Sequence, residues 1–385
     1  MKCELREFMT VVEMDIESRW STYSRGCSTH TAGVYYCPEI DDLLYDLFGR
    51  RKLALKMYKR YDELHPTVQE RYPNADWSSP ETFARGHTNL LDATRIQNLY
   101  AWHGLAPRVF SLVYSPKEDR WGQVVTFVPG TKVEQPPSKA AITSVDGQYG
   151  IISKYNNPFL RTHIGTWAVG DQIVDFGPTT FDGRQYLASL IKSINENRPT
   201  QSYQAIPELA ISGNRDTQDR AETLHFDSID FSGKSVLDLG CNMGSFCLEA
   251  VRRGAKRVVG IDAWFDRAHL SYQIANWLGY WNIDYLNLEL PQDRRHICSS
   301  SDFYGRFDIV LCLSTAGHIG GYDEWMGLIC GEVMVLEGHN NETRGKYQAP
   351  LQRDFDRVEF IGFSRDWKER VRPVFMCWKE KQNGQ

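Results

Sequence analysis

The chain has 385 residues, of which 42% are apolar and 24% charged, and a formal net charge of −5. That is enough for two ordinary domains with true cores, and it leaves no basic field for holding nucleic acid non-specifically. The nine cysteines are odd in number and lack paired spacing, which fits a reducing compartment better than a disulfide framework. Cys27, His30 and Cys37 match no zinc spacing, so no metal is expected. The opening MKCELREFMTVVEMD alternates charges without the apolar core of a secretory signal. No apolar run approaches the ~20 residues of a membrane helix. A cytoplasmic protein that makes no use of a membrane is expected. The sequence is silent on oligomeric state.

Residues 1–205 read as an α+β domain. KLALKMY is strand-like, TNLLDATRIQNLYAWHG helix-like, and RVFSLVY and GQVVTFV are strand-like again. Arg50, Arg51, Lys52, Lys56, Lys59 and Arg60 form a basic run, read as a solvated edge or as a binding patch. LALKMYK resembles the strand of kinase-like folds whose lysine, here Lys56, holds ATP phosphates. The stretch from LYAWHG to GQVVTFVPG resembles the helix end, strands and hinge that follow it. Asp175-Phe176-Gly177 resembles the metal-binding D-F-G. Against the resemblance, no Asp followed five residues later by Asn precedes Asp175. The helix glutamate is also missing, with Asp92 the nearest substitute. The helix-like GRQYLASLIKSI precedes NENRPTQSYQAIPELAISGNRDTQDR, which is polar and Pro-interrupted and reads as a linker.

Residues 206–385 form the second domain. Seven apolar runs, SVLDLG, RVVGID, DYLNLEL, FDIVLCL, EVMVLEG, RVEFIGF and PVFMCWK, alternate with helix-like stretches among the first five, which predicts an α/β parallel sheet. SFCLEAVRRGA reads as a helix with a glycine stop. The last two runs are separated by only SRDWKERVR, too short for a crossover helix, so they are expected to pair antiparallel.

The first run ends in VLDLGCNMGSF. Asp238 closes the strand, Gly240 opens a tight turn, and Gly244 stands at a helix start whose N–H groups attract an anionic group. Asn242 sits where an unusual, left-handed backbone is expected, a conformation Asn tolerates better than most residues. The second run ends on Asp262, whose carboxylate suits two ribose hydroxyls. A dinucleotide fingerprint also has such an acid, but it would need glycines at 242 and 245, where Asn242 and Ser245 stand.

These residues resemble the class I S-adenosylmethionine-dependent methyltransferases over roughly residues 215–385. The D-x-G-x-G-x-G motif of that family corresponds to Asp238, Gly240, Asn242 and Gly244, with Asn242 the departure. The resemblance implies a Rossmann-like seven-stranded sheet with an antiparallel last strand and S-adenosylmethionine as cofactor. It places the turn by the methionyl part, Asp262 on the ribose, Ala263 and Trp264 near the adenine with Glu289 or Asp293, and Arg220 on the methionyl carboxylate. LDLGCNMGSFCLEAVRRGA, LSTAGHI, VMVLEG and RVRPVFMCW also resemble the methyltransferase portion of bacterial kinase–methyltransferases that terminate O-antigen polysaccharides, which implies O-methylation of a sugar or of a phosphate on a sugar.

A sulfonium methyl is already activated, so a hydroxyl acceptor needs positioning and a general base. His318, in STAGHIGGYDEW after the fourth strand, is the candidate base; Glu337 and His339 reach the same sheet edge as second candidates. No Asn-Pro-Pro-Tyr-type or paired-cysteine motif points to nucleic-acid base methylation. The expected partner is a small-molecule or glycan acceptor chosen with the help of the first domain. Other readings are N-methylation or nucleic-acid methylation, phosphotransfer at Lys56 and Asp175, and a cofactor-binding scaffold without catalysis.

Overall fold

The computed structural model describes residues 11–15, 32–63, 66–71, 90–102, 104, 106–128, 133–134, 160–161, 167–169, 172–173, 180–181, 183–196, 202–294, 297, 307–365 and 368–380. Two units are distinguished: Met1–Lys192 with Asn276–Trp281, and Ser193–Ala275 with Asn282–Gln385.

In the first unit, strands β1 (Val11–Glu13), β2 (Ala32–Tyr35), β3 (Leu53–Tyr58), β4 (Val109–Ser115) and β5 (Arg120–Thr126) form one sheet in the order β1-β4-β5-β3-β2. Helix α1 (Pro38–Phe48) buries Ile40, Leu44 and Phe48, a spacing of four that puts them on one face. Helix α2 (Leu90–Trp102) lies between β3 and β4 in sequence. Lys56 is on β3 with Nζ 5.3 Å from the Tyr58 ring centre, while Asp92 pairs with Arg95 at 3.1 Å. Cations of the basic run pair with nearby acids, Arg51 with Asp42 and Arg60 with Asp62, which favours the solvated-edge reading. Cys27, His30 and Asp175-Phe176-Gly177 lie outside the described residues. Helix α3 (Gly183–Glu196) follows in sequence.

The second unit holds all seven expected strands: β6 (Ser235–Leu239), β7 (Arg257–Asp262), β8 (Ile283–Asn287), β9 (Phe307–Leu313), β10 (Cys330–Glu337), β11 (Arg357–Arg365) and β12 (Val371–Trp378). Their order is β8-β7-β6-β9-β10-β12-β11. Neighbours from β8 to β10 run parallel, and β12 is antiparallel to both β10 and β11. Both faces are covered, so the central strands are apolar nearly throughout: Val236, Leu237, Leu239, Val258, Val259, Val310 and Leu311 are fully buried. The helices are α4 (Thr217–Thr223), α5 (Ser245–Arg252), α6 (Phe265–Leu278), α7 (Glu324–Ile329) and α8 (Arg344–Asp354). Asp216 caps α4 by accepting the Asp219 N–H.

The stretch before α4 is not the linker its polarity suggests. Gln204 bridges to Arg215 and Ile206 to Ile211, and Ile206, Leu209 and Ile211 are buried. Gly213 lies so close to Gln204 that a Cβ would come 2.3 Å from its backbone. This loop is part of the second unit.

Candidate active site

The carboxyl ends of β6, β7, β9 and β10 bring together the turn at 240–244, Asp262, the loop Ser314–His318 and the segment Glu337–Asn340. The turn is held by its own backbone, with Gly240 N–H and Cys241 N–H both donating to the Ile261 carbonyl at 2.8 Å. Gly240, Asn242 and Gly244 have φ of 77°, 51° and 76°, so the left-handed backbone expected at Asn242 is present. Asparagine also does what glycine could not: Oδ1 accepts the N–H of Met243 at 2.8 Å and of Tyr203 at 3.3 Å.

Close packing also demands glycine at two of these positions. A Cβ on Gly244 would come 2.3 Å from the Tyr285 hydroxyl, and one on Gly240 would come 2.0 Å from Thr315 Oγ1. Internal packing takes that space.

Asp262 accepts the Asn242 N–H at 3.0 Å through Oδ2 and the Trp264 N–H at 2.9 Å through Oδ1. Each oxygen keeps a lone pair for a hydroxyl. Burial raises its carboxyl pKa, and these N–H groups and Arg267 oppose the rise. Ala263 is exposed beside it, and Trp264 is half-exposed under the Arg267 guanidinium, 4.6 Å from the ring centre. Asp238 is buried, with Cys247 Sγ donating to it at 3.5 Å; burial pushes its carboxyl up to about 7. Glu289 and Asp293 hydrogen-bond each other after β8.

Arg220 is buried between the Tyr203 and Phe246 rings, 5.7 and 5.1 Å from their centres, and is paired with Glu337. Glu337 is fully buried. It accepts from Arg220, Ser314 and Ser364, with Arg215 at 3.7 Å and Arg372 at 3.8 Å. Burial opposes its charge, but these partners prevail and lower its pKa to about 2. A carboxylate so held is an anchor and not a base. Its hydroxyl partner Ser314 has φ 62°, a conformation costly for serine.

His318 is exposed on the loop. Partial burial lowers its pKa; His339, Arg372 and Arg267 add to this and Asp262 opposes it. The imidazole is therefore neutral at pH 7 and able to accept a proton.

Buried polar atoms that make no hydrogen bond among the described residues include Gln204 Nε2 and Oε1, Arg220 Nε, Ser245 Oγ and, against Gly244, Tyr285 Oη. Leaving such atoms unpaired costs about 1–3 kcal/mol each, so they fit a ligand that brings both donors and acceptors. Gln204, Tyr203, Arg215, Ser314 and Arg372 were not singled out from the sequence. The available signals were an arginine inside the apolar strand RVRPVFMCW and a serine just past β9.

The parallel strands β8 to β10, the reversed last strand, the glycine turn after β6 and the acid ending β7 give the second unit the Rossmann-like seven-stranded α/β fold expected from the sequence. No family profile matches the chain. Curated relatives include the ribosomal protein L11 methyltransferase of Pseudoalteromonas atlantica, 31% identical over 146 residues, which are 37% of this chain and 45% of that one. The protein of the same name from Alteromonas mediterranea is 41% identical over 68 residues, 18% and 23% of the two chains. The chain thus spans less than half the length of these relatives. Among solved structures, the bifunctional kinase-methyltransferase WbdD is similar at TM-score 0.39 and 21% identity over 49% of this chain and 45% of that one. The N-terminal domain of EvdMO1 with S-adenosylhomocysteine bound is similar at TM-score 0.39 and 13% identity over 52% and 98%. Among the described residues, no helix is long and apolar enough to cross a membrane.

Proposed function

We propose that the chain moves a methyl group from S-adenosylmethionine to a hydroxyl of a small molecule or glycan, with the first unit helping to select the acceptor. The observation that carries this is the polar set around the turn. Gln204 Nε2 and Oε1, Arg220 Nε and Ser245 Oγ suit an amino-acid end, which has an ammonium to donate and a carboxylate to accept. Gly240, Asn242 and Gly244 shape the floor there, with Asp238 beneath it. Asp262 suits a ribose, and Ala263 and Trp264 border an adenine.

The bound cofactor supplies a methyl group on a positively charged sulfur, already activated for displacement. The protein then has to position the acceptor and take its proton. His318 is the residue suited to take the proton, because it lies at the same sheet edge with its pKa lowered by partial burial and neighbouring cations. Arg372, Tyr203 and Ser314 form one hydrogen-bonded group beside it, with Arg372 Nη1 donating to Tyr203 Oη at 3.1 Å and to Ser314 Oγ at 2.7 Å.

The curated relatives are named for ribosomal protein L11, which makes a protein acceptor the second reading. Calorimetry on the full chain with S-adenosylhomocysteine and with Mg-ATP tests the cofactor. Binding of the first is expected, and its absence sinks the methyltransferase reading; tight Mg-ATP binding would favour phosphotransfer. Transfer of radiolabelled methyl groups to glycan, small-molecule and protein fractions then separates the acceptors.

A further inference from the structure

His339 stands just past β10, and its ring meets that of His318 at 64°, with centres 4.3 Å apart. The approach depends on Gly317, since a Cβ there would come 2.3 Å from the His339 Cβ. Both ring nitrogens of His339 have partners. Nδ1 lies 3.2 Å from the Ser314 carbonyl oxygen. A carbonyl only accepts, so Nδ1 carries the proton. Nε2 lies 3.1 Å from Asn340 Nδ2.

The orientation of that amide is set by a third residue. Arg372 donates from Nε and Nη2 to Asn340 Oδ1 at 3.0 and 2.8 Å, and a guanidinium has no acceptor. The oxygen of Asn340 must face Arg372, its nitrogen must face His339, and Nε2 of His339 must accept. A proton on Nε2 would set one N–H against another.

We propose that His339 is a positioning residue, held by Arg372 through Asn340 as the neutral Nδ1–H tautomer, and that its fixed ring orients His318. The inference rests on the reading of His318 as the base. The groups that face His318 are His339 from the end of β10, Arg372 from β12, Arg267 from α6 and Asp262 from β7. His339 is the one of these in ring contact with it. It is therefore the neighbour that limits how the His318 ring turns and how much water reaches it.

Long-range proton–nitrogen spectra of the full chain with 15N-labelled histidine rings test this without acceptor or cofactor. His339 is assigned by its loss in His339→Ala. At neutral pH the wild-type ring is expected to show a protonated Nδ1 and an unprotonated Nε2. Asn340→Asp keeps an oxygen for Arg372 but offers Nε2 an acceptor, so it is expected to place a proton on Nε2. His339→Ala is expected to raise the His318 titration midpoint by roughly half a pH unit or more, since water reaches the ring. A wild-type His339 protonated on Nε2 overturns the proposal. So does a tautomer indifferent to Asn340→Asp, or a His318 midpoint unmoved by His339→Ala. Failure to bind S-adenosylhomocysteine would leave these spectra as they are, so the two readings fail separately.

Discussion

Asp262 and Asn242 form one hydrogen-bonded unit: the carboxylate at the end of β7 accepts the backbone N–H of the turn after β6 at 3.0 Å. Two motifs that look independent in the sequence are mechanically joined. Loss of the acid loosens the turn and, with it, the site proposed for the ribose.

Asp262→Ala is accordingly expected to weaken S-adenosylhomocysteine binding by about 1–3 kcal/mol, the cost of hydrogen bonds left unmade. Titration calorimetry at constant pH measures this. An unchanged affinity would place the acid outside the cofactor site.

The contrast between what the sequence discloses and what it conceals is visible around this pair. The strands ending at Leu239 and Asp262 are legible because a doubly covered parallel strand is a short apolar run bounded by turns. Asn242 is legible because few residues tolerate φ near 51°. The loop at 202–216 is hidden: its pairings, Gln204 with Arg215 and Ile206 with Ile211, close a short irregular turn that has no periodicity. The role of Glu337 is hidden for another reason. Position at a strand end suggests a base, but Arg220 and Arg372 converge on it from distant points of the chain, and only the fold shows that it is consumed.

Asn242 separates two demands, backbone and side chain. Asn242→Gly relieves the left-handed φ but removes the acceptor for Met243 and Tyr203, while Asn242→Ala loses both. The alanine variant should be destabilised by about 2–3 kcal/mol in urea unfolding and the glycine variant by about 1 kcal/mol. If glycine proves the worse of the two, backbone strain is not what selects asparagine there.

His318→Ala should lower methyl transfer far more than it lowers S-adenosylhomocysteine affinity, by about 100-fold or more in rate. Because burial and neighbouring cations lower its pKa, the acid limb of the wild-type rate profile should fall below the ordinary histidine value of about 6.5. Single-turnover transfer from labelled cofactor gives both readings. Equal activity in the alanine variant removes the base assignment.

The burial of Asp238 costs the protein stability once its carboxyl ionises. Its folded pKa of about 7 exceeds the ordinary aspartate value of about 3.9. The folded state therefore binds the extra proton, and stability is lost as pH rises from about 4 to about 7. Asp238→Asn escapes this loss and should unfold with up to about 4 kcal/mol more stability at pH 8, while its cofactor affinity falls. An asparagine variant no more stable than wild type at pH 8 would mean that Asp238 ionises there without penalty.

Glu337 gives the opposite sign. Arg220 and the two serine hydroxyls hold its pKa near 2, below the unfolded value of about 4.3, so the unfolded state binds the proton first. The stabilisation is full above about pH 4.3 and is lost as pH falls toward 2; it amounts to about 3 kcal/mol. Glu337→Gln leaves Arg215, Arg220 and Arg372 around a neutral amide, and breaking a buried pair in this way costs about 3–5 kcal/mol. Urea unfolding of both proteins at pH 7 and near pH 3 tests the assignment. The stability gap between them should be wide at pH 7 and roughly half as wide near pH 3, because the unfolded glutamate then binds a proton that the folded one, held near 2, still largely lacks. A gap of equal size at both pH values would show that Glu337 contributes packing and not charge.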